Sequence, residues 1–141
     1  MVNKISQEIT GSQTVVNATE TVIATTNAYT YDYPQSFVGG EHSGLGQGVT
    51  ISGVVAVNPV GTSATLATIR VRQGSIAGPV VGVALPETVA AGSQVTLAYE
   101  AFDTTRFAAQ SGGGVYVVTI QFTAASANST VIAVTLDVEG A

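Results

Sequence analysis

From Tyr116 to Phe122 the bulky side chains Tyr116, Val118, Ile120 and Phe122 alternate with the lighter Val117, Thr119 and Gln121. A period of two residues places successive side chains on opposite sides of an extended backbone. The same alternation recurs along the chain, and helical spacing of apolar residues is hard to find. Val95, Leu97 and Tyr99 oppose Thr96, Ala98 and Glu100; Ile69 and Val71 oppose Thr68, Arg70 and Arg72. In the last run Ile132, Val134, Leu136 and Val138 are expected on one face, with Val131, Ala133, Thr135 and Asp137 on the other. Each segment then has one core face and one smaller or more polar face, the pattern of antiparallel sheets packed on one side. Burial of each large side chain contributes about 1.5–3 kcal/mol.

Turn residues divide the runs. Strands are expected at Glu8 to Val16 (weakly), Glu20 to Ala28, Val49 to Asn58, Ala64 to Gln73, Pro79 to Leu85, Gln94 to Phe102, Gly114 to Thr123 and Thr130 to Val138. Breaks include Pro59 with Val60-Gly61-Thr62, Gly74, and Ala91-Gly92-Ser93. A long loop spans Tyr29 to Gly48, and a second precedes Gly114. Eight strands with two long loops predict an all-β fold: a single eight-stranded antiparallel jelly roll, a β-sandwich with an N-terminal arm. An immunoglobulin-like sandwich is the alternative, without a Cys…Trp…Cys spacing to support it. The expected division is an arm over residues 1–18 and a jelly-roll domain over residues 19–141. The arm is polar; its apolar anchors would be Ile5, Ile9, Val15 and Val16.

Composition narrows the role. Only 9% of the 141 residues are charged, against about 25% in an average domain. Such a chain covers its outside with small, weakly polar side chains, which suits a subunit buried against neighbours. The lighter faces carrying Val115, Val117, Val131 and Ala133 look too apolar for full exposure, so a homo-oligomer is expected. Polar residues interrupt every apolar segment before the roughly 18 residues of a spanning helix, so no membrane insertion is expected. Four basic residues and a net charge of −5 disfavour a nucleic-acid partner. The absence of cysteine excludes disulfides and thiol chemistry.

No reaction is legible. His42 is the only histidine, in Gly40-Glu41-His42-Ser43-Gly44. Neighbouring positions on a loop do not make triad geometry, and there is no G-x-S-x-G elbow. Asp32, Glu41 and His42 are a weak metal set. The expectation is a non-enzyme with no catalytic residue, cofactor or metal. Arg70 and Arg72 share one strand face, and cross-strand pairing with Glu100 and Asp103, within or between subunits, is expected. Tyr29, Tyr31 and Tyr33 alternate and, with Phe37, form the candidate partner or glycan surface. Tyrosine is favoured at subunit interfaces; a carbohydrate- or receptor-binding module using the same segment is the alternative.

The segments Val49-Thr50-Ile51-Ser52-Gly53-Val54-Val55, Ala67-Thr68-Ile69-Arg70-Val71-Arg72-Gln73-Gly74 and Gly78-Pro79-Val80-Val81-Gly82 resemble small jelly-roll structural proteins of viral particles. Gly114 to Ile120 and Thr130 to Val134 extend the resemblance, which covers roughly residues 47–138. It implies a capsid decoration (cement) or spike-base protein, commonly trimeric, with a capsid protein as partner. It would be made in the host cytoplasm and sit on the virion surface.

Overall fold

The computed structural model describes residues 4–16, 18–26, 49–58, 65–89, 94–103, 114–123 and 129–140. These hold eight strands: β1 (Lys4–Val15), β2 (Thr21–Thr25), β3 (Val49–Asn58), β4 (Thr65–Gln73), β5 (Val80–Val89), β6 (Val95–Asp103), β7 (Tyr116–Thr123) and β8 (Ser129–Gly140). They form two four-stranded antiparallel sheets, ordered β1-β8-β3-β6 and β2-β7-β4-β5. Every connection changes sheet except the β4–β5 hairpin. This is the jelly-roll order, two Greek keys folded into a sandwich. The immunoglobulin alternative is thereby set aside.

The hairpin turns at Gly74, whose φ of 81° lies in the region that favours glycine. Gly78 N–H closes the turn on the Ser75 carbonyl at 2.9 Å. The core lies between the sheets. Tyr116, Val118, Ile120 and Phe122 of β7 are fully buried against Ile51, Val55 and Val57 of β3 and Val134, Leu136 and Val138 of β8. The bulky faces expected for β4, β6 and β7 are the core faces.

Residues 4–15, within the span expected as an arm, form the edge strand β1, which includes the strand expected from Glu8 and pairs with β8 from Lys4–Glu139 to Val15–Ser129. The polarity that suggested an arm is that of an edge strand with one face in water. In β8 the alternation breaks at Ile132. Ala133 pairs with Ala56 and Val131 with the adjacent Val57, so Ile132 is an extra residue relative to β3. Opposite it, β1 irregularly accommodates Gly11 and Ser12, with Gly11 at φ 105°. A bulge reverses which face the following residues occupy. Val131 is therefore fully buried, while Ile132 is only partly so.

Candidate assembly surfaces

The outer face of the β2-β7-β4-β5 sheet is built around one carboxylate. Strand alternation turns Arg70 and Arg72 of β4 outward. Thr119 of β7 lies opposite Arg70, and Val117 opposite Arg72. Glu20, the residue preceding β2, sits over them. Arg72 donates to both its oxygens, from Nε to Oε2 at 2.7 Å and from Nη2 to Oε1 at 2.9 Å. Thr119 Oγ1 donates to Oε2 at 2.6 Å, and Arg70 Nη1 lies 3.5 Å from Oε1. Arg72 holds the Glu20 carboxyl below its ordinary range, against the opposing effect of burial, with Thr119 and Arg70 adding to the lowering. The network extends outward. Arg70 donates to Gln121 Oε1 at 2.9 Å, Gln121 Nε2 to the Ala18 carbonyl at 3.0 Å, and Arg72 Nη1 to the Gly78 carbonyl at 2.8 Å. Such a closed ion and hydrogen-bond network fastens the β1–β2 crossover and the β4–β5 hairpin to one sheet.

Within the chain, Arg70 and Arg72 thus pair with Glu20 rather than with Glu100 and Asp103. The reason is topological: β6 lies in the opposite sheet. Glu100 faces outward there and is exposed. Asp103 is 2% exposed, and its Oδ2 accepts from Tyr116 Oη at 2.7 Å and Gln73 Nε2 at 3.1 Å. Nearby, the Thr26 hydroxyl accepts from Tyr116 N–H at 2.9 Å. These polar groups tie the end of β6 to β4 and β7, and the residue after β2 to β7, at one end of the sandwich.

The outer face of the β1-β8-β3-β6 sheet is different in kind. Thr96, Ala98, Glu100 and Phe102 of β6 are exposed, beside Val54, Ala56 and Ser52 of β3 and Ala133, Thr135 and Asp137 of β8. Phe102 is 47% exposed and Val54 is 37% exposed. Small side chains make this face flat, and its charges are acidic. On the core side of the same sheet, Tyr99 passes across Gly53 to donate its hydroxyl to the Thr135 carbonyl at 2.8 Å. Burial pushes the Tyr99 phenol far above its ordinary range, with the Asp137 charge adding to the shift.

The apolar outer surface is not where the alternation places it. Val131 is inside because of the bulge, and Val117 is 4% exposed, between Thr25 and Arg72 in the register. Val115 and Ala133 remain partly exposed. Of the anchor candidates, Val15 is fully buried, Ile9 packs partly against the core, Val16 is 53% exposed, and Ile5 pairs through its backbone with Val138. Tyr29, Tyr31, Tyr33, Phe37, Asp32, Glu41 and His42 lie outside the described residues. Among the described residues there is no cluster of His, Cys, Asp and Glu that could hold a metal ion, and no helix long and apolar enough to cross a membrane.

Neither Glu20 nor Gly53 emerges from the sequence as a key residue. Glu20 has no motif around it, and its partners are 50 residues or more away. Gly53 carries one usable signal, a glycine inside a strand where another backbone approaches.

No family model matches the chain, and no curated protein matches it. Among solved structures it is similar to a protein of Bacillus endospore appendages, described as a novel family of disulfide-linked pili (TM-score 0.45, 20% identity, 99% of this chain and 89% of that one). It is also similar to VP2 of the infectious bursal disease virus subviral particle (TM-score 0.53, 11% identity, 99% of this chain and 32% of that one). A chain from infectious bursal disease virus Gx strain gives a TM-score of 0.52 at 10% identity, with 99% of this chain and 31% of that one covered. The chain thus spans about a third of those viral proteins, and the likeness is one of fold: an all-β sandwich of two antiparallel sheets.

Proposed function

We propose that this protein is a non-enzymatic structural subunit that assembles with copies of itself through its sandwich surfaces. The finer reading is a trimeric capsid decoration (cement) or spike-base protein on a virion surface, with a capsid protein as partner and the host cytoplasm as its place of synthesis. The observation that carries the reading is the outer face of the β1-β8-β3-β6 sheet. It is flat, built from Ala, Thr, Ser and Val, has few charges, and exposes Phe102 opposite Thr50 and Val54 opposite Ala98 on the same face. Such a face fits another protein surface better than a small molecule, which needs a concave site. The fold it shares with chains of a viral particle supports the same reading by analogy.

Lysine at the paired positions Val54 and Ala98 tests it. Both side chains are exposed, so V54K/A98K should leave the fold intact, within about 0.5 kcal/mol per site. Buried lysines at a subunit contact would dissociate it. The expected outcome is native circular dichroism with loss of the assembled species in sedimentation velocity. An unchanged sedimentation profile would remove this face from the assembly.

A further inference from the structure

We propose that β1 is an exchangeable strand: in the assembled protein, the edge of β8 that β1 covers takes β1 from a second copy. This rests on the self-assembly argued above and adds which element the copies share.

Several observations converge on β1. Its hydrogen-bonded partner is β8, from Lys4–Glu139 to Val15–Ser129, and a second copy would recreate every one of those pairs. Detachment uncovers little core. Of the side chains described over residues 6–15, Ser6, Glu8, Thr10, Ser12 and Thr14 are exposed, as is Gly11; Gln7, Ile9 and Gln13 are partly buried, and Val15 is fully buried. On its other side β1 does not close against β2. A groove of about 420 Å³ runs between Ile9–Gln13 and Val22–Thr25. It is spanned by the bond from Gln13 Nε2 to the Ile23 carbonyl at 3.0 Å.

The crossover after β1 has the form of a hinge. Ala18 adopts φ 66°, a conformation unfavourable for a residue with a Cβ. Its N–H bonds to the Phe122 carbonyl at 2.7 Å, its carbonyl accepts from Gln121 Nε2 at 3.0 Å, and Thr19 N–H bonds to the Val16 carbonyl at 3.1 Å; straightening the turn breaks the two bonds to β7. The strong fastening lies beyond it, at Glu20, which Arg72, Arg70 and Thr119 hold on the opposite sheet. The chain is therefore anchored on the β2 side of the turn, while the β1 side ends in the exposed Val16. Opening β1 stops at Glu20 and leaves β2 in place. Straightening the turn releases the strained φ of Ala18, a bias toward the exchanged form.

The chain contains no cysteine, so introduced thiols report without background. Thr10 and Ala133 are direct cross-strand partners on the outer face, within reach of a disulfide. T10C and A133C are prepared as separate full-length chains of distinguishable mass, mixed at a concentration where the protein is assembled, and oxidised. The expected product on a non-reducing gel is the T10C–A133C heterodimer, with the T10C/A133C double variant giving crosslinks between chains. A double variant that closes only within its own chain, with no heterodimer from the mixture, overturns the exchange. Mass measured on the same samples separates the two readings. Assembled protein with intrachain crosslinks alone overturns exchange and leaves self-assembly standing, whereas a monomer overturns both. A18G, which removes the strain, should lower the heterodimer yield about fivefold; an unchanged yield contradicts the hinge.

Discussion

Gly53 is where the sheet leaves no room for a side chain. A Cβ built there would fall 1.9 Å from the Thr135 carbonyl oxygen and 2.8 Å from the Tyr99 hydroxyl. The first is backbone, so β8 itself would have to move. G53A should therefore cost about 2–4 kcal/mol in chemical denaturation. Y99F, which removes only the hydroxyl bonded to Thr135, should cost about 1 kcal/mol. Glu20 makes a different kind of contribution. Its folded-state pKa lies below its ordinary value of 4.5, so its ion pairs stabilise fully above that value. That stabilisation is lost as pH falls through the lower folded-state pKa. E20Q keeps the shape and loses the charge. It should cost about 1–2 kcal/mol at pH 7, discounted for partial solvent screening. The acid limb of its stability profile should also be flatter than that of the parent. An E20Q profile parallel to the parent's would show that the carboxylate does not carry this pH dependence.

The strands are the level most legible in the sequence. β3 runs over the span that Pro59 and the alternation mark out, and β4, β6 and β7 present the core faces that their period of two dictates. Local alternation is sufficient there because each strand is regular and buries one face. It fails at Ile132, where the register depends on two neighbours at once, β3 on one side and the irregular β1 on the other. No local pattern records that. The edge strand β1 has the composition of an arm for a related reason: an edge has one partner and a wet face, so its side chains are polar. The candidate assembly surfaces were legible only in part. Arg70 and Arg72 are visible as an outward pair, but their partner Glu20 is brought to them by the chain crossing between sheets. The bulge makes a sharp prediction at neighbouring positions. V131T, which places a hydroxyl in the core, should cost about 1–3 kcal/mol. I132T, at a partly exposed site, should cost less than about 1 kcal/mol. Simple alternation predicts the reverse order, so thermal unfolding of the two variants decides between them.

At the scale of the whole molecule, the jelly roll solves the problem that so few charged residues pose. Two sheets bury their bulky faces against each other, and the charge available is spent unevenly on the outside. One outer face is locked by the Glu20–Arg72 network. The other is flat and small, and carries exposed Phe102 and Val54. A face of that kind on a chain of this composition is the basis for reading the protein as a self-assembling structural subunit. The most direct test is the mass of the unmodified chain by multi-angle light scattering across micromolar concentrations. A stable species at three times the 14.2 kDa chain mass is expected. A species at 14.2 kDa throughout that range would contradict it.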